Sequence, residues 1–511
     1  MTATSPVLAQ RVARTQRVSR THRIVRWAVA ATVALVVATA PPVTSPSAAA
    51  SAADPPPTCH DYASCYAIGM LAYTYAYPLV MTGVTEGVGT NVPNATTTPG
   101  RAPVNQFSNN ALPTPGPTDI VLPNVNTPYS VAWLDLREEP VVMHLPDLGG
   151  RFFLMESMDA WTNVIPNSPG TRTAATAGDY AYVGPDWTGP LPAGLTQVFR
   201  FPTNTVFIAG RTYSTGSAAD LAAVTALQSQ YTLTPLHAYG TPYSPPARSG
   251  YDPHLDTTAP YTQIDTMDAV SYFARFAQLW QSNPPLPGDA AAVDALARVG
   301  LVPGKPFDID QLDPVARQAL TDAAREGNKI VDAAAKRTSP TVTNWNMTLD
   351  LGAYGSRYLL RAATARGGYG ANYFRDAVYA GALEDGTGQA LGGAHRYTLH
   401  FAKDELPPAD PRAFWSVTLY NVPGETLFPN STNRNALGIP AVQDHLPCFD
   451  ADGSLTFYIQ AAQPDPTTEA TKYCNWLPAP EGTFVLLLRM YWPTQKLFDG
   501  KWIPPAVQQA P

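Results

Sequence analysis

Charge is scarce in this sequence. Asp, Glu, Lys and Arg make up 14% of its 511 residues, against about 25% in an average soluble chain. Histidine is scarcer still, with eight residues. His395 and His400 are five apart on an expected strand and so point to opposite faces. His144, His237, His254 and His445 stand alone. That distribution excludes a metal site built from neighbouring histidines. No His-Glu-x-x-His, Gly-x-Ser-x-Gly elbow, P-loop or dinucleotide fingerprint occurs, which excludes the common schemes those motifs serve. Asp450-Ala-Asp-Gly-Ser454 resembles the start of a calcium loop but lacks the later ligands, so a hairpin turn is expected there. No metal and no cofactor are expected.

Cysteine is also sparse. Cys59, Cys65, Cys448 and Cys474 are the four present, and none forms a Cys-x-x-Cys pair. An even count without zinc spacing points to disulfides and an oxidising compartment. Cys59–Cys65 with Cys448–Cys474 is the most local of three pairings. The N-terminus agrees. Arg11, Arg14, Arg17, Arg20, Arg23 and Arg26 form a basic stretch without an acid, Trp27 to Ala40 is a short apolar run, and small residues follow to Ala53. These are the three parts of a secretory signal. The apolar run is shorter than the roughly 20 residues of a membrane span, so no stable span is expected after cleavage, with an uncleaved membrane anchor as the alternative. Its arginines are never adjacent, which excludes a twin-arginine signal. Removing residues 1–53 takes away six of 33 basic residues and none of 40 acids, leaving a net charge of −13. That balance excludes nucleic acid and anionic membrane surfaces as partners.

Proline, by contrast, is abundant at 52 residues, with 45% apolar and 10% aromatic content. The combination favours short strands and long ordered loops around packed cores. Ile68, Leu71, Ala72, Tyr75 and Leu79 have helical spacing, so an amphipathic helix is expected over 59–80. Residues 86–118 read as a long loop, and 119–213 as β. Ser217-Ala-Ala-Asp220 starts a capped helix running to about Tyr231, and a Pro/Tyr-rich connector spans 232–262. Val270, Phe273, Ala274, Ala277 and Trp280 mark another helix. Asp313-Pro314 caps a long one carrying Val315, Ala319, Leu320, Ala323, Ile330, Val331 and Ala334. From about 340 to 503 the pattern is β again.

The two β regions repeat each other. Arg151-Phe-Phe-Leu-Met-Glu-Ser-Met-Asp159 aligns with Ala413-Phe-Trp-Ser-Val-Thr-Leu-Tyr-Asn421. Val206-Phe-Ile-Ala-Gly-Arg-Thr-Tyr213 aligns with Phe484-Val-Leu-Leu-Leu-Arg-Met-Tyr491, in the same order. The fold class expected is mainly β with an α-helical segment: two related β-sandwich domains joined by a helical region. The expected division is a signal peptide at 1–53, a helix plus sandwich at 54–236, a connector and helical region at 237–340, and a second sandwich at 341–511.

Several motifs carry a resemblance. In the first half these are Asn126-Thr-Pro-Tyr129, Leu134-Asp-Leu136, Gly150-Arg151, Asp159-Ala-Trp-Thr-Asn163, Gly170-Thr-Arg-Thr173 and Gly210-Arg-Thr212. In the second they are Phe414-Trp-Ser-Val-Thr-Leu-Tyr420, Asn475-Trp-Leu-Pro-Ala-Pro480 and Leu488-Arg-Met-Tyr-Trp-Pro493. The chain resembles an exported bacterial family with two adjacent domains of unknown function, the twelve-fifty-four and twelve-fourteen types. The resemblance covers most of the chain after the signal segment. It implies jelly-roll-like sandwiches, similar to those of secreted peptide-N-glycosidases at the level of fold alone. It implies no particular reaction. The family's first motif usually reads Asn-x-Asp-Thr-Leu-Tyr; here Asn126 replaces the acid and Pro128 the leucine, which puts any role of that carboxylate in doubt.

Residues 124–164 hold the main chemical candidates. Along 151–159, Phe152, Leu154, Glu156 and Met158 share one face, and Arg151, Phe153, Met155, Ser157 and Asp159 the other. Glu156 therefore sits among apolar neighbours, where burial raises a carboxyl pKa and suits a general acid or base. The competing reading is a buried ion pair with Arg211, an arrangement that Arg489 repeats. Asp159 and Arg172, both in loops or at strand ends, form a candidate pair for a polar substrate, or else a loop-fixing salt bridge. Asn126, Tyr129, Trp161, Asn163 and Arg211 complete the candidate binding set, with ordinary packing as the alternative.

Three readings follow. The first is an exported hydrolase using Glu156, Asp159 and Arg172 on a small-molecule or glycan-like substrate, although opposite faces count against a simple carboxylate dyad. The second is an extracytoplasmic ligand-binding protein with its cleft between the sandwiches. The third is a structural or assembly protein without turnover. Low charge and many aromatics also suit a homo-oligomer.

Overall fold

Period-two patterning produces the strands of the first half. The computed structural model describes residues 58–98, 100–116, 122–248, 250–336 and 341–510; the expected signal segment lies outside them. The first eight strands are β1 (Ser108–Asn109), β2 (Tyr129–Asp135), β3 (Val141–Leu145), β4 (Phe153–Asp159), β5 (Gly178–Val183), β6 (Gln197–Arg200), β7 (Thr205–Thr212) and β8 (Thr232–Pro235). They form two sheets, ordered β1-β2-β7-β4 and β6-β5-β3-β8. Ala132, Leu134, Met155 and Ile208 from one sheet pack on Val141, Met143, Tyr182 and Leu233 from the other. Each such side chain taken from water contributes roughly 1.5–3 kcal/mol.

The second half repeats this plan. Its strands are β9 (Thr341–Val342), β10 (Trp345–Met347), β11 (Ala377–Ala382), β12 (Arg396–Phe401), β13 (Trp415–Asn421), β14 (Ala436–Ile439), β15 (Leu455–Gln460), β16 (Trp476–Pro478), β17 (Phe484–Tyr491) and β18 (Gln508–Ala510). The sheets run β14-β13-β17-β11-β10-β9 and β16-β15-β12-β18. Thus β2, β7 and β4 correspond to β11, β17 and β13, and β6-β5-β3-β8 to β16-β15-β12-β18. Even the departure from antiparallel pairing is repeated, since β5 with β6 and β15 with β16 are both parallel. The expected architecture, mainly β with a helical segment and two related sandwiches, is the one observed.

The longer helices number seven among the described residues, and all but Ala218–Gln228, which packs on the first sandwich through Leu227, share one apolar cluster. They are α1 (Tyr62–Thr90), α2 (Ala218–Gln228), α3 (Pro260–Thr266), α4 (Ala269–Trp280), α5 (Ala290–Ala297), α6 (Pro314–Ala335) and α7 (Tyr358–Gly367). The side chains of Asp61, Ser217, Asp268 and Asp313 cap α1, α2, α4 and α6 as N-cap acceptors. An amphipathic helix ending near residue 80 was expected at α1; two features differ. Every residue from Tyr75 to Val84 is buried, so α1 is the apolar centre of this cluster and not a surface helix. It also continues to Thr90, where Arg101 and Arg248 donate to the terminal carbonyls of Val88 and Thr90. By length and composition α1 could cross a bilayer, but its surface is taken up by α4, α6 and α7. At Gly69 an added Cβ would lie 2.7 Å from Ala323 Cβ, so glycine permits the close approach of α1 to α6.

Both disulfides follow the most local pairing, Cys59–Cys65 and Cys448–Cys474, with Cα–Cα distances of 5.4 and 5.9 Å. They fit an oxidising, extracytoplasmic environment. Asp450 and Ser454 close the expected turn through backbone bonds.

Candidate functional site

Each large sheet has two covered faces. One side packs on its own sandwich; the other turns toward the opposite half of the molecule. On β4 the outward residues are Phe152, Leu154, Glu156 and Met158, and all are buried. On β13 they are Phe414, Ser416, Thr418 and Tyr420, buried as well. The faces meet through aromatic contacts at one end. Phe152 lies edge-on to Phe414 with centroids 5.4 Å apart, and Phe414 stacks on Tyr491 at 4.3 Å. Tyr213 donates to Ala441 O at 2.6 Å.

Farther in, the layer between the sheets is polar. Asn124 Nδ2 donates to Tyr491 Oη at 2.8 Å, and Ser416 Oγ to Asn126 Oδ1 at 2.8 Å. Tyr379 Oη donates to Asn372 Oδ1 and also lies 3.4 Å from Tyr491 Oη. Asn126 Nδ2 is buried without an acceptor. This explains why polar residues interrupt the alternation of 124–164: their faces cover another sheet and not solvent.

Two arginines flank the layer. Arg211 lies over the Tyr129 ring at 5.4 Å, and Arg489 over Tyr379 at 5.9 Å and Tyr420 at 5.6 Å. Arg211 Nη1 donates to Ala209 O of its own strand, while its Nε has no partner. Arg489 donates to Thr418 Oγ1 at 3.0 Å and Leu122 O at 2.7 Å. Tyr129 and Tyr379 keep part of their surface accessible.

Glu156 belongs to this layer. The expected apolar surroundings are replaced by donors: Asn372 Nδ2 at 2.6 Å and Tyr373 N at 3.2 Å, both to Oε2. No ion pair joins it to Arg211, which acts on it only through space. Burial pushes its carboxyl up to about 7, against the pull of Arg211 and of the two donors.

The other candidates go elsewhere. Asp159 accepts Asn163 N at 2.9 Å, in a turn where Thr162 has φ of 67°; burial raises its carboxyl to about 6 despite that bond. The expected Asp159–Arg172 pair does not form. Arg172 instead holds Asp376 bidentately at 2.5 and 2.9 Å, tying the Gly170–Thr173 loop to the second half. The partner is 204 residues away in sequence, which local reading could not supply. Trp161 is no stacking wall for the layer. It is fully buried in the helical body against Tyr75, Phe276 and Trp280, and donates to Pro284 O at 2.8 Å.

Asn124, Asn372, Asp376, Tyr379, Ser416 and Tyr491 were missed by sequence reasoning. The repeat held a signal for some of them. Register pairs Tyr129 with Arg211 and Tyr379 with Arg489, so Asn126-Thr-Pro-Tyr129 corresponds to Asp376-Ala-Val-Tyr379. Separately, a depression of about 750 Å³ opens where Asp147–Phe152 meets Pro411–Ala413; Glu156, Asp159 and Arg172 do not line it. Among the described residues no cluster of three or more His, Cys, Asp or Glu could hold a metal.

Comparison with known proteins bears on this site. A family model described as a protein of unknown function, DUF1254, matches residues 104–235, and another such model, DUF1214, matches residues 376–495. The chain belongs to this two-part family. The polar layer lies between the two DUF parts: Asn126, Tyr129, Glu156 and Arg211 come from the DUF1254 part, and Asp376, Tyr379, Ser416 and Arg489 from the DUF1214 part. Among solved structures, the VPA0106 protein from Vibrio parahaemolyticus is similar at 22% identity and TM-score 0.62, covering 87% of this chain and all of that one. That likeness supports the fold. An uncharacterised protein from Burkholderia cenocepacia covers 88% of this chain and 94% of its own at 12% identity and TM-score 0.38. No curated protein matches the sequence.

Proposed function

We propose that this is an exported protein that binds a small polar molecule in the layer between its two sandwiches, with Glu156 exchanging a proton with it. The observation that carries this reading is the position of Glu156. A buried carboxyl held near neutrality faces the same layer as a guanidinium and accessible phenols. That is the setting in which a carboxyl can give or take a proton near pH 7. In this reading Tyr129, Tyr379 and Asn126 contact the ligand, and the N-terminal basic and apolar segments direct export.

A hydrolase acting on a sugar-like substrate is the catalytic form of the proposal. It relies on Glu156 alone as acid or base. Asp159 leaves the strand on the other side, and Asp376 is neutralised by Arg172, so a two-carboxylate mechanism is not favoured. Binding without turnover is the second reading, favoured by that lack of a second free carboxylate in the layer. The test is a screen of glycosides and esters with the native chain and Glu156→Gln. Turnover with a pH limb near 7 that vanishes in the variant supports catalysis. Saturable binding without turnover in either protein supports the binding reading, and neither result with any compound removes the proposal.

A further inference from the structure

We propose that the ligand of this layer carries an oxyanion, a carboxylate or a phosphate, held between Arg211 and Arg489; this rests on reading the layer as a ligand site. Both arginines are buried, at 8% and 3% exposure. Among the described residues no carboxylate lies within 4.0 Å of either guanidinium. A buried cation without a counter-ion is costly and is rarely retained without use.

Other buried arginines resolve the problem differently. Arg434 directs one nitrogen to the carbonyls of Tyr473, Cys474 and Trp476. Arg361 has Asp289 at 3.9 Å and three aromatic rings around it, although its guanidinium nitrogens make no hydrogen bond. Arg211 has neither solution: it reaches one carbonyl of its own strand and leaves Nε without a partner. Glu156 and Asp376 act on it through space; Arg172 already holds Asp376, and burial drives Glu156 toward its neutral form, so below pH 7 it is mostly uncharged.

The two guanidiniums also share a surrounding. Tyr129, Tyr379 and Tyr491 are close enough to act electrostatically on both. Tyr129 and Tyr379 retain part of their surface accessible to solvent. Guanidinium forks match the paired oxygens of a carboxylate or phosphate, and the Tyr129 hydroxyl adds a donor of the same kind, whereas the Tyr379 hydroxyl already donates to Asn372 Oδ1. The Arg–Tyr pairing recurs in register in both halves, so each half brings a guanidinium to the layer.

The test uses the full chain with inorganic phosphate, acetate and benzoate as probes, at ionic strength held constant with chloride. Calorimetric titration is run on the native chain, Arg211→Lys and Arg489→Lys. The expected result is saturable binding of phosphate or of a carboxylate, weakened at least tenfold in each lysine variant, because an ammonium cannot form the fork. Phosphate binding alone identifies one source and carboxylate binding alone the other. Binding of neither, or undiminished binding in the variants, overturns the proposal. A second measurement covers variants that do not fold. Phenylglyoxal labelling of the native chain, mapped by mass spectrometry, is expected at Arg211 and Arg489 and is expected to be blocked by the bound anion. Labelling without protection overturns the anion proposal but leaves an accessible layer for a neutral ligand. No labelling at either arginine removes both.

Discussion

Arg489 is the structural counterpart of Arg211. Each sits on the central strand of its sheet, each pairs in register with a tyrosine of the neighbouring strand, and each turns away from its own sandwich core. They differ in what they support. Arg489 satisfies Leu122 O and Thr418 Oγ1, whereas Arg211 donates to Ala209 O of its own strand and lies against Tyr129.

That difference predicts opposite effects of removing the charge. Arg211→Met deletes an uncompensated buried cation while keeping its stem, and is expected to stabilise the ligand-free chain by about 1–2 kcal/mol. Arg489→Met leaves two acceptors without donors and is expected to destabilise it by roughly 1–3 kcal/mol. Denaturant unfolding of the two variants checks the sign; a loss of stability of similar size in both refutes it.

The raised carboxyl of Glu156 predicts a pH dependence with a definite sign. Below pH 4.5, its ordinary value, the group is neutral whether folded or unfolded. Between 4.5 and about 7 the unfolded chain ionises it while the folded chain keeps the proton. Stability therefore falls as pH rises through that window, by on the order of 3 kcal/mol in all. Asp159, raised from 3.8 to about 6, acts in the same direction over a lower window. Glu156→Gln is expected to be the more stable protein at pH 8 and to lose much of this slope. Thermal unfolding from pH 4.5 to 8.5 measures it, and parallel curves for the two proteins count against it.

Asp376→Asn is expected to destabilise the chain by on the order of 3 kcal/mol, because Arg172 then loses its carboxylate in a largely buried setting. Asp376 has 3% and Arg172 18% of its side chain exposed. A double-mutant cycle with Arg172→Met should recover part of the loss. Strict additivity of the two single changes would show that the bridge contributes nothing.

Of the two disulfides, Cys448–Cys474 closes the longer loop, with a separation of 26 residues against 6 for Cys59–Cys65. The chain-entropy model gives about 3.5 kcal/mol for the longer loop and about 2 kcal/mol for the shorter. Cys448→Ser with Cys474→Ser is therefore expected to lower the melting temperature more than removal of the first pair. Scanning calorimetry of both variants decides the order.

Short-range chemistry was well legible in the sequence. Ser217 and Asp313 announced their helices, and the matched order of the β motifs announced the duplication, because caps and alternation depend on neighbours in the chain. Long-range partners were not legible. Asp159 and Arg172 looked suited to each other because both lie near one strand end, yet Arg172 reaches Asp376. Trp161 looked like a loop aromatic, yet it fills the helical core. Glu156 was picked out by alternation, but its donors come from Asn372 and Tyr373, which no local pattern connects to it. The polar layer exists because two sheets face each other, and facing is a tertiary fact.

The repeat is imperfect at one instructive place. In register, Glu156 stands beside Ala209 and its counterpart Thr418 beside Leu487, so one half carries an acid where the other carries a hydroxyl. A dimer of identical halves would have to present the same group twice, and a guest could sit in it equally well either way round. Fusion into one chain frees each copy to drift alone. Glu156 and Thr418 make the two faces of the layer chemically different, so under the proposed reading an unsymmetrical guest would meet an acid from one half and a hydroxyl from the other.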